Sequence, residues 1–328
     1  MGKMKKILVV SIGGTISMTK NKTGGIVSNV SIESILKTVP NISSLAIIDT
    51  ICPFICPASS IQLEKFLSLI IDLEKKLNSD YDGALIIQGT DTIEETSFLI
   101  DILIKTNKPI VVTGAMRGHD MLSADGPSNL YCSLMTLLHP DTFAKGTLVV
   151  LNETIHSARF VIKTDTSKLD AFKSPSFGPI GSIIEGKVIF FTSAYKKINI
   201  NIPSKFKFGK IPILTFGIGD DPKLFEAASK IDYDGFVLQA TGAGHIPSSI
   251  VPSIAKVTRH KPVVLSTRVL SGKVFNSTYG FPGSEIDLIK KGVITSGFLN
   301  APKSRILLSV LTGCRLSHNK ILNYFQKF

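Results

Sequence analysis

The sequence predicts an α/β protein of two domains, each a largely parallel sheet flanked by helices, with a larger N-terminal domain and a smaller C-terminal domain. Short runs of β-branched and aliphatic residues alternate with longer helical patterns, as is typical of parallel sheets covered by helices on both faces. The length of 328 residues suits two domains, and a hydrophobic content of 44% is ample for their cores. A charged fraction of only 19% argues against disorder.

The first part of the chain contains six short apolar runs, each followed by small or polar residues. We predict strands at residues 7–12, 46–51, 84–87, 110–112, 148–151 and 188–191. Apolar residues spaced close to the helical period predict helices at residues 61–77, 93–104 and 130–138. Because ligands of such sheets bind beyond the carboxyl ends of the strands, residues that follow these strands are the candidates for function.

A change of character near residue 196 marks the boundary between the two domains. Residues 196–210 are polar and basic, have no helical period, and include Pro203 and Gly209. Strands and helices alternate again after this segment, with strands predicted at residues 213–216, 235–239, 262–267 and 293–295. The predicted division is a larger N-terminal domain at 1–192, a linker at 193–212 and a smaller C-terminal domain at 213–328.

Net charge and cysteine content restrict the partners and the compartment. The formal charge of +12 admits an anionic partner but identifies none, and because no basic-aromatic binding pattern accompanies it, we expect no nucleic-acid partner. The four cysteines are too few for a disulfide scaffold in a chain of this length, and the one close pair lacks nearby histidines for a zinc site. We expect buried free thiols in a reducing compartment.

No targeting, membrane or cofactor signal is found. The apolar run at residues 7–12 is too short for a secretory signal, and no other run approaches the roughly 18–20 residues of a membrane helix. The chain contains no dinucleotide fingerprint after a strand, no phosphate-binding loop and no paired-histidine metal motif. We therefore expect a cytoplasmic protein without membrane partner, cofactor or metal.

Hydroxyl and carboxylate side chains follow two of the predicted strands. Thr15 comes directly after two glycines that allow a sharp turn, and it is either a turn residue or an exposed nucleophile. Thr90 and Asp91 follow another strand at the start of a helix, where backbone N–H groups favour an anion. Thr92 and Glu95 have the spacing of a capping box, which predicts that the Thr92 side chain caps this helix.

Lys163 follows the apolar stretch of residues 160–162. Partial burial of its ammonium would suit it to exchange a proton with a neighbouring group. The alternative is a lysine that reaches water past an apolar face.

Taken together, these segments resemble the bacterial-type L-asparaginase family, in its cytoplasmic branch. The resemblance spans nearly the whole chain, and several motifs in order are far more specific than any one of them. The matching segments are residues 12–16 (IGGTI), 88–96 (QGTDTIEET), 114–117 (GAMR), 123–127 (SADGP), 129–131 (NLY), 163–166 (KTDT), 296–300 (SGFLN) and 304–307 (SRIL).

The resemblance implies an amidohydrolase that converts L-asparagine to L-aspartate and ammonia through an acyl-enzyme. It assigns Thr15 as the nucleophile, and Thr90, Asp91 and Lys163 as the second catalytic group. Asp91 would also hold the substrate's α-ammonium. Glu285 would support it from a neighbouring subunit, because the family forms homodimers or homotetramers.

This sequence departs from the family pattern at three places. The segment after the first strand, which the resemblance aligns with the family's mobile loop, lacks the tyrosine that assists the nucleophile in the family, and the aligned position is Gly25. Ser59 and Ser60, after Ala58, align with the residues that bind the α-carboxylate. His245 stands where many members have asparagine, and two roles follow: it donates to a carboxylate, or it widens specificity. Two alternatives follow: the same chemistry on glutamine, a D-amino acid amide or another small amide, or a catalytically weak member retained for binding or regulation.

Overall fold

The computed structural model describes residues 4–20, 26–28, 31–39, 41–193 and 195–328. It divides into two compact units, Met1–Ile200 and Asn201–Phe328. No helix within these described ranges is long and apolar enough to cross a membrane. The four cysteines are free thiols, as predicted, but the expectation that they are buried is wrong for three of them: Cys132 is buried, Cys56 and Cys314 are partly exposed, and Cys52 is exposed.

The first unit is organised around an eight-stranded sheet that contains all six predicted strands of this part of the chain. Its order is β12-β11-β8-β7-β6-β5-β1-β4. The strands of this unit are β1 (Lys6–Ser11), β2 (Met18–Lys20), β3 (Ile26–Ser28), β4 (Ile47–Ile51), β5 (Gly83–Ile87), β6 (Ile110–Thr113), β7 (Thr147–Leu151), β8 (Thr154–Ser157), β9 (Ile162–Lys163), β10 (Phe172–Lys173), β11 (Gly181–Ile184) and β12 (Lys187–Phe190). The five neighbouring strands β7, β6, β5, β1 and β4 are parallel, as predicted.

Three antiparallel strands, β8, β11 and β12, extend this sheet at one side. Two-residue turns at Asn152–Glu153 and Glu185–Gly186 have positive φ values at both positions, which suits tight hairpins. Of the three strands, only β12 is predicted from the sequence, because its apolar run continues to Phe191, whereas β8 (TIHS) and β11 (GSII), of the same length, contain more small or polar residues.

Helices pack against the central strands and supply the core of the first unit. They are α1 (Ile32–Leu36), α2 (Ile42–Leu45), α3 (Leu63–Ser79), α4 (Ile93–Leu103) and α5 (Gly126–Leu138). Every second residue of the central strands joins α1 and α5 in one buried apolar cluster, while α3 contacts β5 and α4 contacts β7. Burial of the central strands explains why they appear in the sequence as nearly continuous apolar runs.

The second unit has a four-stranded parallel sheet in the order β13-β14-β15-β16, which confirms the four strands predicted there. The strands are β13 (Ile213–Thr215), β14 (Phe236–Ala240), β15 (Val263–Thr267) and β16 (Ile294–Thr295). The helices are α6 (Lys223–Ser229), α7 (Val251–Val257), α8 (Glu285–Lys290), α9 (Ala301–Gly313) and α10 (His318–Phe325). One buried apolar cluster joins the sheet to α6, α7 and α8, and α9 contacts β13, β14 and β15.

Residues in the stretch predicted as a linker are hydrogen-bonded to the unit in which they lie. In the first unit, the Asn199 amide donates to the Ile104 carbonyl at 2.7 Å. In the second unit, the Gly209 N–H donates to the Ser309 carbonyl at 2.9 Å, and the Ser309 hydroxyl donates back to the Gly209 carbonyl at 2.6 Å.

Candidate active site

Two neighbouring parallel strands, β1 and β5, end at the same edge of the large sheet. Ser11 pairs with Ile87 at their carboxyl ends, and the N–H of Ile12 donates to the Ile87 carbonyl at 3.0 Å. The segments that follow these strands therefore leave the sheet side by side. One carries Thr15 and the other carries Thr90, so parallel pairing brings two distant parts of the sequence to one edge.

Close packing of two glycines fixes these segments against each other. Gly14 has φ +107°, and a Cβ built on it would lie 2.5 Å from the carbonyl carbon of Gln88 and nearer still to the Gly89 nitrogen. Only glycine tolerates both this conformation and this approach. Thr15 follows at the start of a 3₁₀ turn, Thr15–Ser17, where it is partly exposed.

Lys163 connects the second of these segments to the short hairpin of β9 and β10. Its Nζ donates to Thr90 Oγ1 at 2.9 Å and to Asp91 Oδ1 at 2.8 Å. The Lys163 side chain is 17% exposed, whereas that of Asp91 is 68% exposed. Lys163 therefore does not simply extend into water: its ammonium is held between a buried hydroxyl and an open carboxylate, in a position to polarise Thr90.

The capping box predicted at the start of α4 is not formed. A 3₁₀ turn, Thr90–Thr92, runs directly into the helix, and the Ile93 N–H is bonded to the Thr90 carbonyl. The Thr92 side chain makes no cap hydrogen bond, and its hydroxyl donates to the Ala58 carbonyl at 3.1 Å. Because the helix continues from this turn, the Thr92 hydroxyl is not needed as a cap. It instead connects the turn Thr90–Thr92 to the loop that contains Ala58.

The second loop in this contact is the 3₁₀ turn Ala58–Ser60. Ala58 is 6% exposed and lies against Gly89, where an added Cβ would come within 2.9 Å of the Ala58 Cβ. Ser59 and Ser60, the predicted carboxylate-binding residues, are both exposed on this turn. Their hydroxyls are thus carried by a loop that packs directly on the segment containing Thr90.

Asp125 organises a third loop beside Thr90, a role that the sequence analysis did not assign. Its carboxylate is 9% exposed and accepts from the N–H groups of Met116 and Arg117, each at 2.9 Å, and from the Asn129 amide at 3.0 Å. The same Asn129 amide donates to the Gly114 carbonyl at 3.0 Å. A Cβ on Gly114 would lie 3.2 Å from Thr90 Cγ2, so Gly114 packs directly against Thr90. The network therefore positions Thr90 through Gly114. The signal in the sequence was a carboxylate directly before the start of α5 and an amide four residues later, within the matching segments 123–127 and 129–131.

His245 and Glu285 come together in the second unit. The His245 Nε2 and Glu285 Oε2 atoms are 3.5 Å apart, and in the described ranges neither atom has a hydrogen-bond partner. The other carboxylate oxygen, Glu285 Oε1, accepts from the N–H groups of Thr278 at 2.9 Å and Tyr279 at 2.7 Å. Glu285 is fully buried, and its Oε1 is thus held by two backbone N–H groups, while Oε2 accepts no hydrogen bond from the described residues.

The pKa of Glu285 lies below its usual range. Burial acts to raise this pKa, but the backbone N–H groups of Tyr279, of Glu285 itself and of Thr278 outweigh burial, and the charge of His245 acts in the same direction. The carboxylate is therefore ionised at neutral pH. A fixed anion with a free oxygen is suited to bind a cation such as an ammonium group.

Comparison with known proteins places these features in a family. The family model for the asparaginase N-terminal domain matches residues 6–196, and the model for the glutaminase/asparaginase C-terminal domain matches residues 210–325. The chain belongs to the asparaginase family. Asparaginase-family sequences similar to it include an L-asparaginase of Bacillus licheniformis, 30% identical over 94% of this chain and 95% of the relative. The glutaminase-asparaginase of Acinetobacter glutaminasificans is 31% identical over 98% of this chain and 99% of the relative.

A solved asparaginase-family structure has the same fold. The probable cytoplasmic L-asparaginase of Campylobacter jejuni aligns with a TM-score of 0.89 at 32% identity, covering 99% of this chain and 100% of that one. The two-domain α/β fold is therefore shared with this protein.

Gly25, at which the family tyrosine is missing, lies outside the described residues. Among the residues that the structure describes, no cluster of three or more His, Cys, Asp or Glu side chains could hold a metal ion.

Proposed function

We propose that this chain hydrolyses L-asparagine to L-aspartate and ammonia, with Thr15 as nucleophile and an acyl-enzyme intermediate. The observation that carries the proposal is the junction of the two strand ends, at which Gly14 lies against Gly89 and Lys163 bonds to Thr90 and Asp91. Hydroxyl groups on adjoining loops, one of them polarised by an ammonium, are suited to acyl transfer.

In the first proposed step, Thr15 Oγ1 attacks the side-chain amide carbon of the substrate. Backbone N–H groups at the glycine-rich turn stabilise the tetrahedral oxyanion. The proton of the Thr15 hydroxyl passes to the amide nitrogen, which leaves as ammonia, and a threonyl ester remains. Water then attacks this ester, releases the aspartate side chain and restores the hydroxyl of Thr15.

Thr90, Asp91 and Lys163 serve the proton transfers in this proposal. Because Thr90 Oγ1 accepts from Lys163 Nζ, the hydroxyl proton of Thr90 is directed elsewhere and its donor strength is increased. It can therefore bond to the developing charge or orient the attacking water. The exposed carboxylate of Asp91 balances the ammonium of Lys163 and remains open to a further cation.

Recognition of the amino acid backbone is assigned to four groups. Ser59 and Ser60 donate to the α-carboxylate, and Asp91 accepts from the α-ammonium. Glu285, next to His245, supports that ammonium from a neighbouring subunit of a homodimer or homotetramer. Oε2 of the ionised Glu285 carboxylate supports this role, because in the described ranges it accepts no hydrogen bond, although His245 Nε2 lies 3.5 Å away, and it could therefore accept one from an incoming ammonium. By the same resemblance, we propose a cytoplasmic location.

A second candidate keeps the chemistry and changes the amide to glutamine, a D-amino acid amide or another small amide. The observation that favours it is the packing of His245. Its ring lies edge-on against those of Tyr279 and Phe281, with ring centroids 5.0 and 5.1 Å apart. A histidine held in this way alters the volume and hydrogen bonding beside Glu285. One similar protein is itself a glutaminase-asparaginase.

Ammonia release from L-asparagine, L-glutamine and D-asparagine tests both candidates. We expect a preference for L-asparagine and a loss of at least about 100-fold in kcat for Thr15→Ala and Thr90→Ala. Thr38→Ala is the control, because within the described ranges its hydroxyl donates to the Ile35 carbonyl of α1 and to no other group. Unchanged turnover in both catalytic variants would overturn the mechanism. Preference for another amide would favour the second candidate, and substrate binding with turnover far below about 1 per second would indicate a binding or regulatory role.

A further inference from the structure

Six lysine and arginine side chains gather around two adjoining cavities in the second unit, far in sequence from the proposed catalytic motifs. One cavity has a volume of about 510 Å³ and the other about 380 Å³, and both are lined by Asp234 and Thr312. We call this feature the basic cleft. Its cationic side chains are those of Lys205, Lys207, Lys210, Arg259, Lys261 and Arg315.

Charge in the basic cleft is strongly unbalanced. Two aspartates, Asp232 and Asp234, oppose the six cations, which leaves a formal excess of four positive charges before His260 and His318 are considered. In the described part of the chain, only Lys210 among the six cations forms an ion pair, with Asp232 at 3.6 Å. Cations placed together without partners repel one another, and a bound anion would relieve that repulsion.

The segment that supplies three of the lysines is fixed in place. The Gly209 backbone packs so closely on Thr312 that a Cβ could not be added there, and Gly313 approaches the Lys207 carbonyl in the same way. The Lys210 N–H donates to Asp234 Oδ2 at 2.7 Å, and the Asp234 N–H donates to the Lys210 carbonyl at 3.0 Å. The backbone of this segment is thereby held ready for a ligand, which lowers the entropic cost of binding.

A structural role alone does not account for this many cations. The C-terminus of α9 lies beside the cleft, and the helix dipole would favour one cation there. The helix dipole does not require six cations, and Arg259 and Lys261, which follow α7, line the other of the two cavities. Arginine forks and lysine ammonium groups are the side chains that proteins use for phosphate oxygens. Each cavity is in the size range of small-molecule sites.

We propose that the basic cleft binds an anion with a chain of two or more phosphoryl groups, such as inorganic tripolyphosphate or a nucleoside triphosphate. A single phosphate would engage only part of a site that extends over two cavities. Phe208, Leu316 and Ile321 add apolar wall beside the cations, which would accept the base of a nucleotide. None of its lining residues is among those to which catalysis or substrate binding is assigned.

Calorimetric titration of the intact chain with tripolyphosphate, ATP and inorganic phosphate tests this proposal. We expect tripolyphosphate and ATP to bind, more weakly as salt is raised, and single phosphate to bind at least about tenfold more weakly. Equal affinity for ATP and tripolyphosphate would mean that the phosphate chain alone is recognised, and tighter ATP binding would add a base subsite. The double reversal Lys207→Glu/Arg315→Glu should weaken binding at least about tenfold.

The matched control is Lys75→Glu/Lys187→Glu, which changes the net charge equally at two exposed lysines of the first unit. It should alter affinity by less than about twofold. Equal weakening by the two double variants would overturn the proposal, because binding would then follow net charge and not the cleft. Absence of binding by both tripolyphosphate and ATP, or binding confined to a single-stranded RNA oligonucleotide, would also overturn it. Ammonia release by Lys207→Glu/Arg315→Glu should be unchanged, so the result is independent of the proposed hydrolysis.

Discussion

Replacement of Gly14 by alanine should damage both stability and turnover, because this residue is the contact between the two strand-end loops. The new methyl group would lie 2.5 Å from the Gln88 carbonyl carbon, whereas ordinary contacts begin near 3.4 Å. The two loops would have to separate by about 1 Å to accept it. The affected atoms belong to the backbone, so no side chain can rotate out of the way.

Two contributions add in this variant. The backbone of Gly14, at φ +107°, is a conformation that costs an alanine about 1–3 kcal/mol. Overpacking of the loop contact adds about 1–3 kcal/mol. Displacement of Thr15 relative to Thr90 by about 1 Å should lower kcat by about 100-fold, because reactive groups must stay aligned.

Gly186→Ala is the matched control. Gly186 also has positive φ, +70°, but nothing lies within 4 Å of an added Cβ, so this variant carries the backbone cost without the overpacking. The difference between the two variants isolates the loop contact. For a unit of this size, about 1–3 kcal/mol corresponds to a further fall of about 2–12 °C in the thermal midpoint.

Differential scanning fluorimetry gives the midpoints, and a coupled ammonia assay gives kcat and KM. We expect Gly14→Ala to melt below Gly186→Ala and to lose most of its turnover, while Gly186→Ala keeps wild-type kinetics. Equal midpoints for the two variants, or full activity in Gly14→Ala, would refute the argument that this contact aligns the two threonines.

Three further outcomes are expected. Lys163→Met should lower kcat by about 100-fold or more with little change in the thermal midpoint, because it removes the ammonium that polarises Thr90 while the paired carboxylate stays largely exposed. Asp125→Asn should lower the free energy of unfolding by about 1–3 kcal/mol, measured by urea titration, because an amide N–H replaces an acceptor that faces backbone donors. The lowered pKa of Glu285 contributes stability that is complete above about pH 4.5 and is lost as pH falls through its folded-state pKa, so Glu285→Gln should lose less stability than wild type between about pH 7 and about pH 3.

Each of these outcomes has a control. Lys173→Met removes an exposed ion pair with Asp170 at 2.7 Å in the same hairpin, and its kcat should not change. If its kcat falls as far as that of Lys163→Met, the polarising role is wrong. Asp170→Asn, at an exposed carboxylate, should leave urea unfolding unchanged. Glu64→Gln, at an exposed position of α3, should keep the acid sensitivity of the wild type. If Glu285→Gln loses as much stability as the wild type between about pH 7 and about pH 3, the lowered pKa of Glu285 does not contribute to stability.

Local sequence patterns were sufficient for most of the fold. The buried strands of both sheets were predicted to within one residue at most ends, because strands covered on both faces need continuous apolar runs. The antiparallel strands β8 and β11 were missed, because they are short and partly polar, and their pairing depends on hairpin turns with positive φ. The cap predicted for Thr92 failed for a related reason, since a 3₁₀ turn upstream already supplies the acceptor for the first helical N–H.

By itself, the sequence determined the α/β class, the order of the strands along the chain and the family resemblance that nominates Thr15, Thr90, Asp91 and Lys163. Only the tertiary structure decided which groups meet: the Lys163 ammonium on Thr90, the Asp125 network behind it, and the unfilled oxygen of Glu285 beside His245. The physical reason is range. Strand and helix formation follow from the spacing of apolar residues over a few positions, whereas a hydrogen bond between residues 73 positions apart depends on how the whole sheet is paired.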